Sequence, residues 1–362
     1  MKTSSVSRAP TTDCRKKNYK WFIGIDVSKN VLDFAVLHDS DLLLHSEIIN
    51  EKHSIVDFTR SLKQRIPGFR MANTLFCMEQ TGVYGAVLTK ALNSLKANFA
   101  VENALRIRRS AGLLRGKDDQ TDAARIATYA RNYNIDIRLW EPRRPILEEL
   151  KYLSTLKTRL QGISSRLNHP VNEQELFLPK GLQHKLNGLC QTTIDAARAD
   201  LHFIELAIDH LIDNDPELNR LVRIITSVKS IGKITAIEII LATNEFRTIN
   251  CPKKFACYAG IAPFKQESGI MKKKHKISPI ANRKMKTLLH LCAMGAVYRQ
   301  PELKAYFERK TKVEGKPKMA VINAVRYKLL LRVFACVRQD RLYTIDYIRP
   351  QGIPEASEIR LS

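Results

Sequence analysis

No stretch of this 362-residue chain approaches the roughly 18 consecutive apolar residues of a membrane-spanning helix, and no basic amphipathic anchor stands out. A membrane partner is therefore not expected. Cysteine is sparse and odd in number, with Cys14, Cys77, Cys190, Cys251, Cys257, Cys292 and Cys336 scattered and showing no paired zinc spacing. That pattern argues against a disulfide framework and fits free thiols in a reducing cytosol. The first twenty residues lack an apolar core, so they do not read as a secretory signal. A glycine-rich nucleotide-binding turn after the first strand is also missing. Acids are the scarcest class relative to their counterparts: 36 Asp and Glu face 60 Lys and Arg, a formal net charge of +24. Such an excess speaks to partners and not to fold, and among polyanions nucleic acid is the first expected. The 44% hydrophobic content leaves ample core for two or three domains.

What is present begins, after a basic arm at 1–18 expected to be disordered, with Tyr19 to Val36. Trp21, Phe22, Ile23 and Ile25 read as a buried strand, Ser28-Lys29-Asn30 as a turn, and 31–37 and 42–49 as two further strands. Residues 74–78, 83–95 and 99–101 then read as strand, helix and strand. Three strands followed by strand–helix alternation is the order of an α/β, ribonuclease-H-like domain over 19–140. Asp26 leaves the first strand and Glu79 the fourth, each at the end of an apolar run. Asp119 and Asp122 open a predicted helix, three residues apart and hence neighbours on one face. Helix capping alone would also explain that pair. Arg106, Arg108, Arg109, Arg115 and Lys117 precede it, placing positive charge where a phosphate could lie beside a cation. Four carboxylates are hard oxygen ligands, suited to magnesium or manganese.

Residues 146–215 carry apolar positions at steps of three and four, from Ile146 to Leu167 and again from Leu201 to Leu211, with a loop bounded by Pro170 and Pro179. The spacing predicts a helical hairpin or coiled coil, serving either as a spacer or as an oligomer contact. A mainly α-helical domain is expected over 218–340, with a tail at 341–362. Its Ser230-Ile231-Gly232-Lys233 turn between two helical patterns resembles a helix-hairpin-helix, whose amides bind phosphate. Further on, Ser268-Gly269 lies in a predicted loop beside Lys272, Lys273, Lys274 and Lys276. A serine beside dense positive charge can act as a nucleophile, though a turn role is the plain alternative, and Ser278 is a nearby competitor.

Together, GIDVSK, MEQTG, KDDQTDA, SIGKITA and YAGIAP…SG, in this order, resemble the insertion-sequence one-ten family of transposases and its related Piv-type DNA invertases. The resemblance covers most of the chain. It implies a RuvC-like domain whose four acids, here Asp26, Glu79, Asp119 and Asp122, bind magnesium, and a C-terminal transposase domain with a nucleophilic serine, matched by Ser268. It also implies guidance by a structured non-coding RNA that pairs with target and donor DNA, and dimers assembling to tetramers. Two places depart from the family pattern: Lys117-Asp118-Asp119 where Lys-Thr-Asp is common, and Ser278-Pro279-Ile280-Ala281-Asn282 where Ser-Lys-x-Gly-Asn is common. The expectation is an RNA-guided, cytosolic DNA recombinase. The alternatives are a RuvC-like nuclease or junction resolvase that uses water, and a non-enzymatic basic nucleic-acid-binding protein.

Overall fold

The computed structural model describes residues 18–110, 119–135, 137–173, 179–268, 271–277 and 281–344, with backbone alone at 119–120, 168–173, 180, 183–184, 186–187, 263–268 and 271–277. The chain divides at Pro142 into two compact units. In the first, β1 (Trp21–Val27), β2 (Val31–His38) and β3 (Asp41–Ile49) form an antiparallel meander, and β4 (Thr74–Glu79) and β5 (Asn98–Glu102) add in parallel on the other side of β1. The order β3-β2-β1-β4-β5 is a mixed five-stranded sheet, as a ribonuclease-H-like fold requires. Ser28 fixes the first hairpin: its hydroxyl donates to the Val31 carbonyl (2.8 Å) and accepts from the Val31 N–H (3.0 Å).

Strand alternation gives the sheet two apolar faces. Trp21, Ile23, Ile25 and Val27 pack with Phe76 and Met78 under α1 (Lys52–Arg65) and α2 (Ala86–Ser94). Phe22, Leu75 and Cys77 face the other way, toward α3 (Ala104–Ser110) and α4 (Asp119–Asn132), meeting Ile107, Ile126, Ala127 and Ala130. Gly24 sets how close α4 can come. A Cβ there would lie 2.1 Å from the Ala123 carbonyl oxygen and 2.3 Å from the Ala127 nitrogen, both immovable backbone. Only glycine lets helix and strand touch at this point.

The second unit is mainly helical, as expected, around a large apolar core. α7 (Pro216–Ser227) starts at a good cap, since Asp215 accepts from the Leu218 N–H (2.8 Å) and Pro216 follows it. α8 (Lys233–Thr243) is buried on nearly every side, in line with its continuous apolar sequence. α9 (Pro252–Tyr258), α10 (Arg283–Arg299), α11 (Pro301–Glu308) and α12 (Lys318–Arg338) complete the bundle. Against expectation, the segment read as a loop around Ser268 is a two-stranded hairpin, β6 (Pro263–Ser268) and β7 (Met271–Ile277). Its lysine run has low strand propensity, which hid it from a reading based on apolar pattern.

Two long helices make up residues 145–173 and 180–214. α5 (Pro145–Glu173) continues past Pro170, and α6 (Lys180–Asn214) begins some twenty residues before Leu201. A proline removes one ladder hydrogen bond, and the rest of the helix carries on through it.

Just before α5, Arg144 grips two carboxylates. Nη1 and Nη2 donate to Asp215 (2.6 and 3.0 Å), and Nε donates to both oxygens of Glu245 (3.0 Å each). Glu245 has a side chain only 1% exposed and sits in a turn where Asn244, Glu245 and Phe246 all take left-handed φ (48°, 57° and 62°). Such a turn persists only where its surroundings hold it. Removing the guanidinium would leave the buried Glu245 carboxylate only the longer contact to half-exposed Arg247 (3.6 Å), so Arg144→Ala is expected to destabilise by about 3 kcal/mol in denaturant unfolding. Arg144's hydrogen bonds hold the Asp215 carboxyl below the usual carboxylate range. Its share of the stability is therefore fully present above the ordinary Asp pKa and is lost as pH falls through the depressed one.

Candidate active site on the sheet face, and the C-terminal hairpin

Asp26 is two residues beyond Gly24 on β1, so it emerges on the face that carries α4. It accepts from the Val27 N–H through Oδ1 (2.9 Å). Glu79 ends β4 on the same face, two residues after buried Cys77. The last β1–β4 pair is Ile25 with Met78, which leaves Asp26 and Glu79 as adjacent next residues where the two parallel strands exit the core. On α4, Ala123 is pressed against Gly24, and its neighbour Asp122 is carried to the same end. Asp122 pairs with Arg125 one turn along.

The electrostatics show that these groups share a locality. Burial pushes the Glu79 carboxyl up from its ordinary value; Arg108 opposes this, and the charges of Asp26 and Asp122 add to the rise. Three of the four expected acids and one of the expected arginines are thus brought together. The backbone of Asp119 opens α4, but its side chain, like the whole of Asp118, Arg115 and Lys117, lies outside the described residues. Among the described residues no three His, Cys, Asp or Glu side chains close into a ready-made metal cage. The chemistry of the donor set nonetheless suits a divalent cation: hard oxygens converge, and the repulsion among them is what such a charge relieves.

Sequence reading missed two neighbours. Asp33 pairs directly with Asp26 across β1–β2, and Glu102 pairs with Glu79 across β4–β5. With Glu47 opposite Asp33, one acid from each strand forms a row across the sheet. Asp33 lies 3.4 Å from His45 Nε2, and Glu102 accepts from Arg106 Nη1 (3.0 Å). Glu102 also takes the Tyr129 hydroxyl hydrogen bond from α4; burial first, then the Glu102 charge, pushes that phenol up to about 12. A lone acid inside an otherwise apolar strand, as in VLDFAVL, was the available signal. Arg106 is thereby engaged in an ion pair, while Arg109 is exposed in the last turn of α3.

In the second unit, α7 and α8 flank the short turn expected of a helix-hairpin-helix. Ser230, not Gly232, takes the left-handed conformation there (φ 74°), and Gly232 is the residue before α8 with open space around it. Lys233 pairs with Asp209. The turn is held from inside by Gln300, whose Nε2 donates to the Lys229 carbonyl (2.9 Å) and Ser230 hydroxyl (3.0 Å). Ser268 is the last residue of β6 and pairs with Met271. Lys272, Lys273, Lys274 and Lys276 line β7 beside it. Their side chains, and the whole of Ser278, lie outside the described residues.

Comparison with known proteins gives two separate family matches along the chain. Residues 23–173 match a transposase family model of the DEDD type, and residues 222–308 match the model described as "Transposase IS116/IS110/IS902 family". The "Pilin gene-inverting protein" of Moraxella bovis is 26% identical over 335 residues, covering 89% of this chain and 97% of that one. Its namesake from Moraxella lacunata is also 26% identical, with the same coverage. The first match contains Asp26, Glu79, Asp119 and Asp122, and the second contains Ser268. A DEDD domain implies use of a divalent metal, and no described helix is long and apolar enough to cross a membrane. With both units matched in the expected order, the chain belongs to the IS110 family of transposases, enzymes that cut and rejoin DNA.

Proposed function

We propose that this transposase cuts DNA through a serine nucleophile assisted by the acid site, under the guidance of a structured non-coding RNA. The observation that carries the acid half is the convergence of Asp26, Glu79 and Asp122 on one sheet face, with Glu79 pushed up by burial and by its two acidic neighbours. Asp26, Glu79, Asp119 and Asp122 would hold magnesium or manganese, which when bound supplies Lewis-acid charge to a phosphoryl oxygen. Ser268 supports the nucleophile role by its place at the end of β6, against a strand of four lysines that attract a phosphodiester. In the step proposed, Ser268 Oγ loses its proton to a carboxylate and bonds to phosphorus as one bridging oxygen of the DNA leaves. The new ester keeps the phosphate at the same level of substitution, so rejoining needs no external energy source.

The net charge of +24 suits two polyanions, and the guide RNA that pairs with target and donor DNA is the second. Assembly into dimers and tetramers would let acids and serines of different copies meet. Inversion, which the two relatives are named for, is a cut-and-rejoin reaction that this chemistry also performs. The test is a denaturing gel of labelled DNA incubated with protein, magnesium and co-expressed RNA. Wild type is expected to give a band shifted to protein mass, absent in Ser268→Ala and in Asp119→Ala. Free cleaved DNA that persists in Ser268→Ala would instead mean a water-using nuclease, and loss of RNA dependence would remove the guide.

A further inference from the structure

Three charged side chains are buried among the described residues: Glu102, Glu245 and Arg326. Glu102 has Arg106 and Glu245 has Arg144. Arg326 pairs with no carboxylate among the described residues. It lies on α12 beside Val325, Leu329 and Ile322, 4% exposed. Nη1 donates to Asn323 Oδ1 (3.3 Å) and Nη2 donates to His290 Nδ1 on α10 (2.6 Å), whereas Nε has no partner. A guanidinium keeps its charge at any physiological pH, so the molecule carries a desolvated cation with one nitrogen, Nε, left without a partner. Burying a charge without a counter-ion is among the costliest arrangements a fold can hold.

His290 belongs to the same arrangement. Because its Nδ1 accepts from Arg326, its ring proton sits on Nε2, which makes the ring a neutral donor. Burial, with Arg326 adding to it, keeps the imidazole below its usual pKa. His290 is only half-buried, so it is the part of the network that solvent reaches. On the other side, Asn323 Nδ2 donates to the Ile261 carbonyl (2.6 Å), two residues before β6. The cation, the neutral donor and the root of the lysine-bearing hairpin are therefore tied together.

We propose that Arg326 and His290 form a phosphate-binding site for the DNA backbone at the root of the β6–β7 hairpin. A phosphodiester supplies what the site lacks, a negative charge and oxygens able to accept from a guanidinium and from an imidazole N–H. This inference rests on the chain's action on DNA and is independent of the serine and of the guide RNA.

A phosphate site and a mere hydrogen-bond hub respond oppositely to neutralisation. The experiment measures the melting temperature of the free protein, and anisotropy of a fluorescein-labelled DNA duplex over a series of salt concentrations. Arg326→Met is expected to hold or raise the melting temperature while weakening binding about tenfold and reducing the salt slope by about one unit. Arg326→Lys is expected to retain the slope but bind more weakly, a point charge lacking the planar fork. His290→Ala is expected to weaken binding with the slope unchanged, since it removes a neutral donor. If Arg326→Met does not fold, Arg326→Gln, which keeps amide donors without the charge, is scored by the same slope. An unchanged slope and affinity in the folded neutral variant would overturn the proposal and leave Arg326 as a structural hub.

Discussion

Glu79→Gln is expected to cut DNA strand cleavage by roughly a thousandfold or more, while the metal-free protein melts no lower than wild type. The two halves of this result have one cause. Glu79 is held partly desolvated beside Asp26 and Asp122, so its charge is unfavourable in the metal-free protein despite the attraction of Arg108. Gln keeps the shape and removes that charge. On the proposed metal-binding role of Glu79, catalysis needs the same charge, because a neutral amide is a poor ligand for a hard cation; losing about 4 kcal/mol of transition-state stabilisation gives the thousandfold figure. The raised carboxyl also gives a pH effect with a definite sign. With Glu79 as a proposed ligand, metal binding would displace a proton that its raised carboxyl holds more readily than an ordinary one, so magnesium affinity is expected to fall as pH is lowered, and earlier than for an unshifted acid. Calorimetric metal titration and differential scanning of wild type and variant check both. A variant that keeps wild-type cleavage would remove Glu79 from the reaction.

Gly24→Ala is expected to destabilise the first unit by about 3 kcal/mol, at the upper end for an overpacked core, and to lose activity beyond what the unfolded fraction explains. The added methyl would meet the Ala123 carbonyl and the Ala127 nitrogen at distances no real Cβ shows. Both are backbone of α4 and cannot swing aside, so the helix must lift or slide. Asp122 is the residue next to Ala123, and Asp119 is one turn away, so any movement changes the spacing of the acids across the sheet end. Denaturant unfolding gives the first quantity. Cleavage per folded molecule gives the second, and a variant that loses stability yet retains full specific activity would show that the acids tolerate displacement of α4. Gly181, which has open space where a Cβ would go, provides the matched control.

Much of the first unit was legible because its signals are local. Trp21 to Val27 alternates between two faces that are both apolar, and the acids Asp26 and Glu79 stand where each apolar run stops, so strand ends and candidate ligands could be read together. The helix from Asp119 was equally plain from its spacing. Less legible were the partners of those residues. Asp33 and Glu102 join the row of acids through strand register, and register depends on which residues of distant segments face each other. In the second unit, the extension of α5 through Pro170 was hidden by a residue that usually ends helices, and β6–β7 by a run of lysines that resembles a solvated loop.

The sequence by itself determined the partner class, through a charge excess that no fold can conceal, the two-faced strands, and the helical periodicity of the long hairpin. It also determined the order of motifs by which the family is known. The tertiary structure alone decided that Asp26, Glu79 and Asp122 are neighbours, because parallel pairing of β1 with β4 and the contact of Gly24 with α4 bring together residues up to nearly a hundred positions apart. It likewise decided that Arg144 has two carboxylates and that Arg326 has none among the described residues. Composition counts charges, whereas burial and pairing belong to positions in space, and only folding assigns those.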